Sequence, residues 1–230
     1  MIFKIEFRFK VDSFKKLIMN RIEEDFKEWI LDKNHPCMMA QTVFEQEAIV
    51  LKDYSKLADS ANTEQILKDL YEYIDKYDFD SNSFQSFIAV FKDSKIEDEK
   101  EFEQLLWNQL TELSQHDKYS WDKTVSSNPE NENFSFSLGE KAFYIVGMHP
   151  GSSRIARRSP HTCIVFNLHF QFELLRKMGV YHKVRNKIRK RDVELQGFIN
   201  PSLDDFGVLS EARQYSGRAT SKEWKCPFSK

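Results

Sequence analysis

The 230 residues are 40% hydrophobic and 14% aromatic, with twenty Phe, which supplies enough apolar matter for the packed core of one large domain. Seven Gly, six Pro, three widely spaced cysteines (Cys37, Cys163, Cys226) and no apolar run near the ~20 residues that span a bilayer exclude collagen-like, linker-like, disulfide-framework and helical membrane classes. The net charge of -2 conceals a division: residues 1–138 hold 17 Lys and Arg against 28 Asp and Glu, whereas residues 139–230 hold 17 against 8.

The first ten residues alternate apolar and charged side chains without a small-residue cleavage site, so no secretory leader and no membrane partner are expected, and the odd cysteines fit a reducing cytoplasm. Phe14, Leu17, Ile18, Ile22, Phe26, Trp29 and Ile30 recur at helical spacing and predict a helix over 13–31 with Ser13 as its N-cap, stopped before Pro36. A strand is expected near 42–51. A helix follows over 63–77, a buried strand over 83–92, and an acid-led helix over 97–115. After a linker-like segment at 126–133, the alternation at 134–138 and 142–146 around Gly139 predicts a β-hairpin. The segment 149–160 reads as a loop, 162–167 as a strand, 169–178 as a helix ended by Gly179, and 180–191 as a basic helix. The last forty residues have loop chemistry. Helices and strands alternate without a strict βαβ rhythm, so the expected fold is α+β, a single domain over 1–230 with a mixed or antiparallel sheet and packed helices. Within it, 1–133 would be an acidic supporting part and 134–230 a basic, Gly- and Arg-rich part that builds the site; simple packing of opposite charges between two layers explains the division equally well.

The densest segment for chemistry leaves a strand through Gly147 and Gly151. It carries His149, then Ser152 and Ser153, then Arg154, Arg157 and Arg158. One neutral imidazole beside cations suits an iron porphyrin, which needs an axial nitrogen and partners for two propionates; a solvated basic loop with a backbone-bonded histidine is the plainer reading. His169 begins a helix directly after a strand and is the second candidate iron ligand. Cys37, after a break at Pro36, is a third, although free cysteine is more often a small buried hydrophobe. Zincin spacing and both glycine-rich phosphate loops are absent. The run Lys183, Arg185, Lys187, Arg189, Lys190 and Arg191 admits a polyanion-binding module, but Val184 and Ile188 turn to the core, so nucleic acid is not an expected partner.

The strings His149-Pro150-Gly151-Ser152-Ser153-Arg154-Ile155-Ala156-Arg157-Arg158 and Val165-Phe166-Asn167-Leu168-His169-Phe170-Gln171-Phe172-Glu173 resemble the YqcI/YcgG family. So do Gln196-Gly197-Phe198-Ile199-Asn200-Pro201 and Glu211-Ala212-Arg213-Gln214-Tyr215-Ser216-Gly217-Arg218, closing on Trp224-Lys225-Cys226-Pro227-Phe228. The likeness runs from about Trp29 to the C-terminus. It implies a haem-dependent oxygenase with haem b as cofactor, N-hydroxylating a guanidino or amino group of a small basic substrate with O2 and electrons from an external donor. A haem carrier or sensor is the alternative. By the same resemblance His149, or else His169, holds the iron, Ser153, Arg154, Arg157 and Arg158 meet the cofactor, and Glu211 receives the cationic substrate unless it pairs with Arg213 or Arg218. His35 and Ser159-Pro160 stand where relatives are expected to carry aromatic residues.

Overall fold

The computed structural model describes residues 2–200 and 202–228, with side chains from Lys16 onward. Helix α1 (Ile2–Leu31) starts eleven residues before the cap expected at Ser13, because 2–12 contain neither Gly nor Pro to stop a helix propagating back from the packed turns at Ile22, Phe26 and Ile30. The strand expected over 42–51 is corrected to a short helix, α2 (Met38–Glu45), followed by strand β1 (Ile49–Tyr54). Cys37 caps α2: its Sγ accepts from the Ala40 N–H at 3.4 Å. Helix α3 (Thr63–Lys76) carries the chain over to β2 (Ser86–Phe91), which pairs parallel to β1. Asp98 caps α4 (Glu99–His116), its Oδ1 accepting from Lys100 N at 2.8 Å and Glu101 N at 2.9 Å.

The expected hairpin is present as β3 (Phe136–Leu138) and β4 (Lys141–Met148). Its two turn residues, Gly139 and Glu140, both have φ near +60°, which suits the tight turn a twisted hairpin needs. Then come β5 (Cys163–Leu168), α5 (His169–Lys177), α6 (Tyr181–Gln196) and the single turn α7 (Ala212–Tyr215). The fold is α+β, as expected. Strand order is β1-β2-β5-β4-β3, with only β1 and β2 parallel.

Alternation along each strand sends side chains to two faces. One face carries Phe87, Phe91, Phe143, Ile145, Ile164 and Phe166 against α3, α4 and the aromatic C-terminal residues Tyr215 and Phe228. The other carries Ile88, Val90, Met148, Cys163 and Val165 against Phe26 and Ile30 of α1 and Phe44 of α2. The second cluster is the smaller, and beside it the sheet stays partly uncovered. No helix among the described residues is long and apolar enough to cross a membrane.

Candidate functional site

On that second face, Tyr144 and Val146 of β4, Val165 and Asn167 of β5, and Ser86 and Ile88 of β2 floor a cavity of ≈ 330 Å³. The volume lies in the range of small-molecule sites. α1, the His35–Cys37 turn, α5, α6 and the loop through Phe206 wall it, and its lining is mostly apolar.

His169 opens α5 at the end of β5, where the strand hands its direction to the helix, and its ring is buried in the cavity wall against Phe206, centroids 4.5 Å apart. Its Nε2 is buried without a hydrogen-bond partner and lies 3.8 Å from Glu211 Oε1. Burial lowers the His169 pKa, which leaves the imidazole neutral and its nitrogen able to act as a ligand. Glu211 is buried too, and burial pushes its carboxyl up to about 8; Tyr215 Oη donates to its Oε2 at 3.4 Å. The alternative pairing of Glu211 with arginine does not occur. Arg213 donates to the carbonyls of Ser221, Lys222 and Trp224, and Arg218 pairs with Glu103 at 2.5 Å.

The loop after β4 splits into two faces. Arg154 and Arg157 line the cavity; His149, Ser153 and Arg158 do not. Arg154 Nη2 pairs with Asp192 Oδ2 of α6 at 3.0 Å, both side chains under a tenth exposed, and its Nε has no partner. Arg157 is buried and donates to the carbonyls of Gly147, Gln214 and Tyr215 at 3.0 to 3.5 Å, with no carboxylate of its own. Of the two guanidinium groups only Arg154 has a carboxylate, which leaves a positive charge in the wall. Arg158 Nε donates to Ser152 O, and Ser153 donates to Glu99 of α4 through both N–H and Oγ. His149 is buried on that α4 side, its ring 4.5 Å from Phe102 between centroids, and neither ring nitrogen has a partner. It therefore sits behind the sheet from the cavity that His169 faces.

Sequence reasoning treated His35 only as a departure from the resemblance. It lines the cavity, buried against Trp29 with ring centroids 4.8 Å apart and both nitrogens without partners, and burial pulls its pKa down to about 4. Cys37 lines it too, with a thiol raised in pKa by burial and engaged in capping α2. Tyr144, absent from the sequence candidates, donates from Oη to Gln214 Oε1 at 3.0 Å and so ties the sheet to the C-terminal segment. The one available signal for Tyr144 was its place in the alternation of β4.

The model of the YqcI/YcgG family matches residues 26–229. Uncharacterized protein YcgG of Bacillus subtilis (strain 168) is 23% identical over 94% of each chain. No solved structure matches the chain.

Proposed function

The chain belongs to the YqcI/YcgG family, and on that premise we propose that it is a haem-dependent oxygenase that N-hydroxylates a guanidino or amino group of a small basic substrate. The observation that carries the reading is the buried, unpartnered Nε2 of His169 in the wall of the apolar cavity. A neutral imidazole without a hydrogen-bond partner is costly to bury, and His169 Nε2 would be satisfied by holding the iron of a bound haem. The rest of the donor set suits the same group: Arg154 and Arg157 hold one positive charge more than Asp192 neutralises, which matches a propionate. Haem, when bound, supplies the activation of O2 and the passage of electrons.

This chain's own residues bind, orient and exclude water. Val146, Val165 and Ile88 keep the floor dry. Of the cavity acids, Asp192 and Asp205 already pair with arginines, whereas Asp204 and Glu211 form no salt bridge with Lys or Arg, and of these two Glu211 is the buried one. Held neutral by burial, its carboxyl gives up its proton when a guanidinium or ammonium enters and becomes the counter-charge. The overall step converts one N–H to N–OH, using O2, two electrons from an external donor and two protons, and releases one water. A carrier or sensor would use the same imidazole and arginines; the unpaired Glu211 favours the enzyme.

The test is hemin titration of the purified chain followed by its Soret band. His169→Ala should lose or shift the band and His149→Ala should leave it in place. A wild-type chain that gives no band, or a band indifferent to His169→Ala, sinks the reading. With the band established, Glu211→Gln should weaken the spectral perturbation caused by an arginine-like amine roughly tenfold or more, since a hydrogen bond to a charged group is at stake.

A further inference from the structure

The cavity's outer wall has a second side. Along α6, Tyr181, Val184, Ile188 and Asp192 turn to the cavity, while Lys183, Lys187 and Lys190 lie on the opposite side of the helix and are exposed. Their i, i+4, i+7 spacing makes one stripe. Among the described residues Lys183 and Lys187 have no ion-pair partner, and Lys190 meets Glu194 only at 3.8 Å in full solvent. Exposed Lys177 extends the charge toward α5, and exposed Val193 and Phe198 end the stripe with apolar surface at the C-terminal end of the helix. A solvated face on a stable helix usually mixes its charges; this one carries a single sign from Lys183 to Lys190, about two turns, before exposed Glu194 follows it.

We infer that this outer face of α6 is the docking surface for a small acidic electron-carrier protein that feeds the cavity behind it. The inference rests on the oxygenase reading, which requires an external donor. Three observations select this partner. The lysines stand one helix diameter, about 10–12 Å, from the cavity wall, so a carrier seated there places its redox centre next to the site. The first half of the chain, with 17 Lys and Arg against 28 Asp and Glu, repels an acidic carrier and turns it toward the basic stripe. Apolar Val193 and Phe198 beside the lysines give a small contact that water can leave, the pattern of a weak and fast encounter. Each encounter oxidises the carrier by one electron. Two encounters supply the two electrons that, with O2 and two protons, turn N–H into N–OH and water.

The test is stopped-flow reduction of the hemin-loaded full chain by a reduced flavodoxin of strongly negative net charge, comparing wild type with Lys183→Glu/Lys187→Glu/Lys190→Glu. The triple variant should slow the second-order reduction about tenfold or more at low salt, and the wild-type rate should fall toward that of the variant at high salt. Soret position and reduction by dithionite should be the same in both, which separates docking from haem binding and folding. Equal rates in the two proteins overturn the surface while leaving the oxygenase reading intact. A wild-type chain without a Soret band removes that reading and this surface with it. Tight, salt-sensitive binding of duplex RNA that the triple variant abolishes would reassign the face to nucleic acid and overturn the carrier.

Discussion

Two buried imidazoles, His35 and His169, border the same cavity without hydrogen-bond partners, and what surrounds each sets its use. His169 has a carboxyl 3.8 Å from its Nε2; His35 has the edge of Trp29 and an apolar wall. His35 therefore behaves as a destabilising group whose cost appears in acid. Its folded pKa of about 4 lies below the ordinary 6.5, so the neutral form is favoured on folding, and the stability tied to it is complete above 6.5 and lost as pH falls toward 4. His35→Phe keeps a ring against Trp29 and removes the titration. The difference in unfolding free energy between variant and wild type should shift by about 2 to 3 kcal/mol in favour of the variant between pH 7.5 and pH 4.5, read from urea melts at each pH. His149 and His169, whose pKa values burial also lowers, are common to both proteins and cancel. A difference that stays flat with pH would show that the His35 ring is solvated. At this scale the sequence singled out both imidazoles, and the structure places His169, its second candidate, in the cavity wall and His149, its first, against Phe102 on the other side of the sheet. Whether His149 or His169 faces the cavity depends on which side of the sheet each side chain takes, and both follow strands of similar texture.

Most elements were legible because their periodicity is strong: α3, α4, the β3–β4 hairpin, β5 and α5 fall within a few residues of expectation. The failure at α2 has a local cause. Met38–Glu45 is short, carries β-branched Thr42 and Val43 beside Phe44, and is capped by a cysteine rather than by Ser, Thr, Asp or Asn, so both propensity and cap signal pointed away from a helix. A second hidden feature lies in β4. Gly147 has ordinary backbone angles, and its need for Gly comes from space: a Cβ there would stand 2.8 Å from both Phe102 Cε1 and the Tyr215 carbonyl oxygen. Gly179, at φ +69°, has open space around it and is constrained by conformation alone. Gly147→Ala should therefore cost about 2 to 3 kcal/mol in chemical denaturation, by forcing apart α4, β4 and α7. Gly179→Ala should cost about 1 kcal/mol, the strain of a left-handed alanine. Equal losses at the two positions would contradict the close approach at Gly147.

At the scale of the molecule, the charge division was plain in the sequence and its meaning was not. Opposite-charge packing between halves would need many ion pairs across the boundary. Among the described residues only Asp25 with His161 and Glu103 with Arg218 form salt bridges across it; hydrogen bonds such as Ser153 to Glu99 and Gln171 to Gln85 add to them, and the packed centre of the junction is apolar. β2 from the acidic part lies beside β5 from the basic part, pairing Phe87 with Phe166 and Ile88 with Val165 in the middle of the sheet. Trp107 of α4 stacks on Tyr215, centroids 5.5 Å apart, and packs against Trp224 and Phe228. Neither half can then cover its own strands: 1–133 keeps a two-stranded piece with one bare edge, and 134–230 keeps a three-stranded piece without the helices that shield Phe143 and Phe166. Fragments 1–133 and 134–230 made separately should show no cooperative thermal transition. Mixed under refolding conditions they should recover one, and because the junction is mostly apolar the recovery should persist in about 0.5 M salt, where exposed ion pairs are screened. A cooperative transition in fragment 134–230 alone would mean that the basic part is a domain in its own right, and recovery abolished by salt would return the junction to electrostatics.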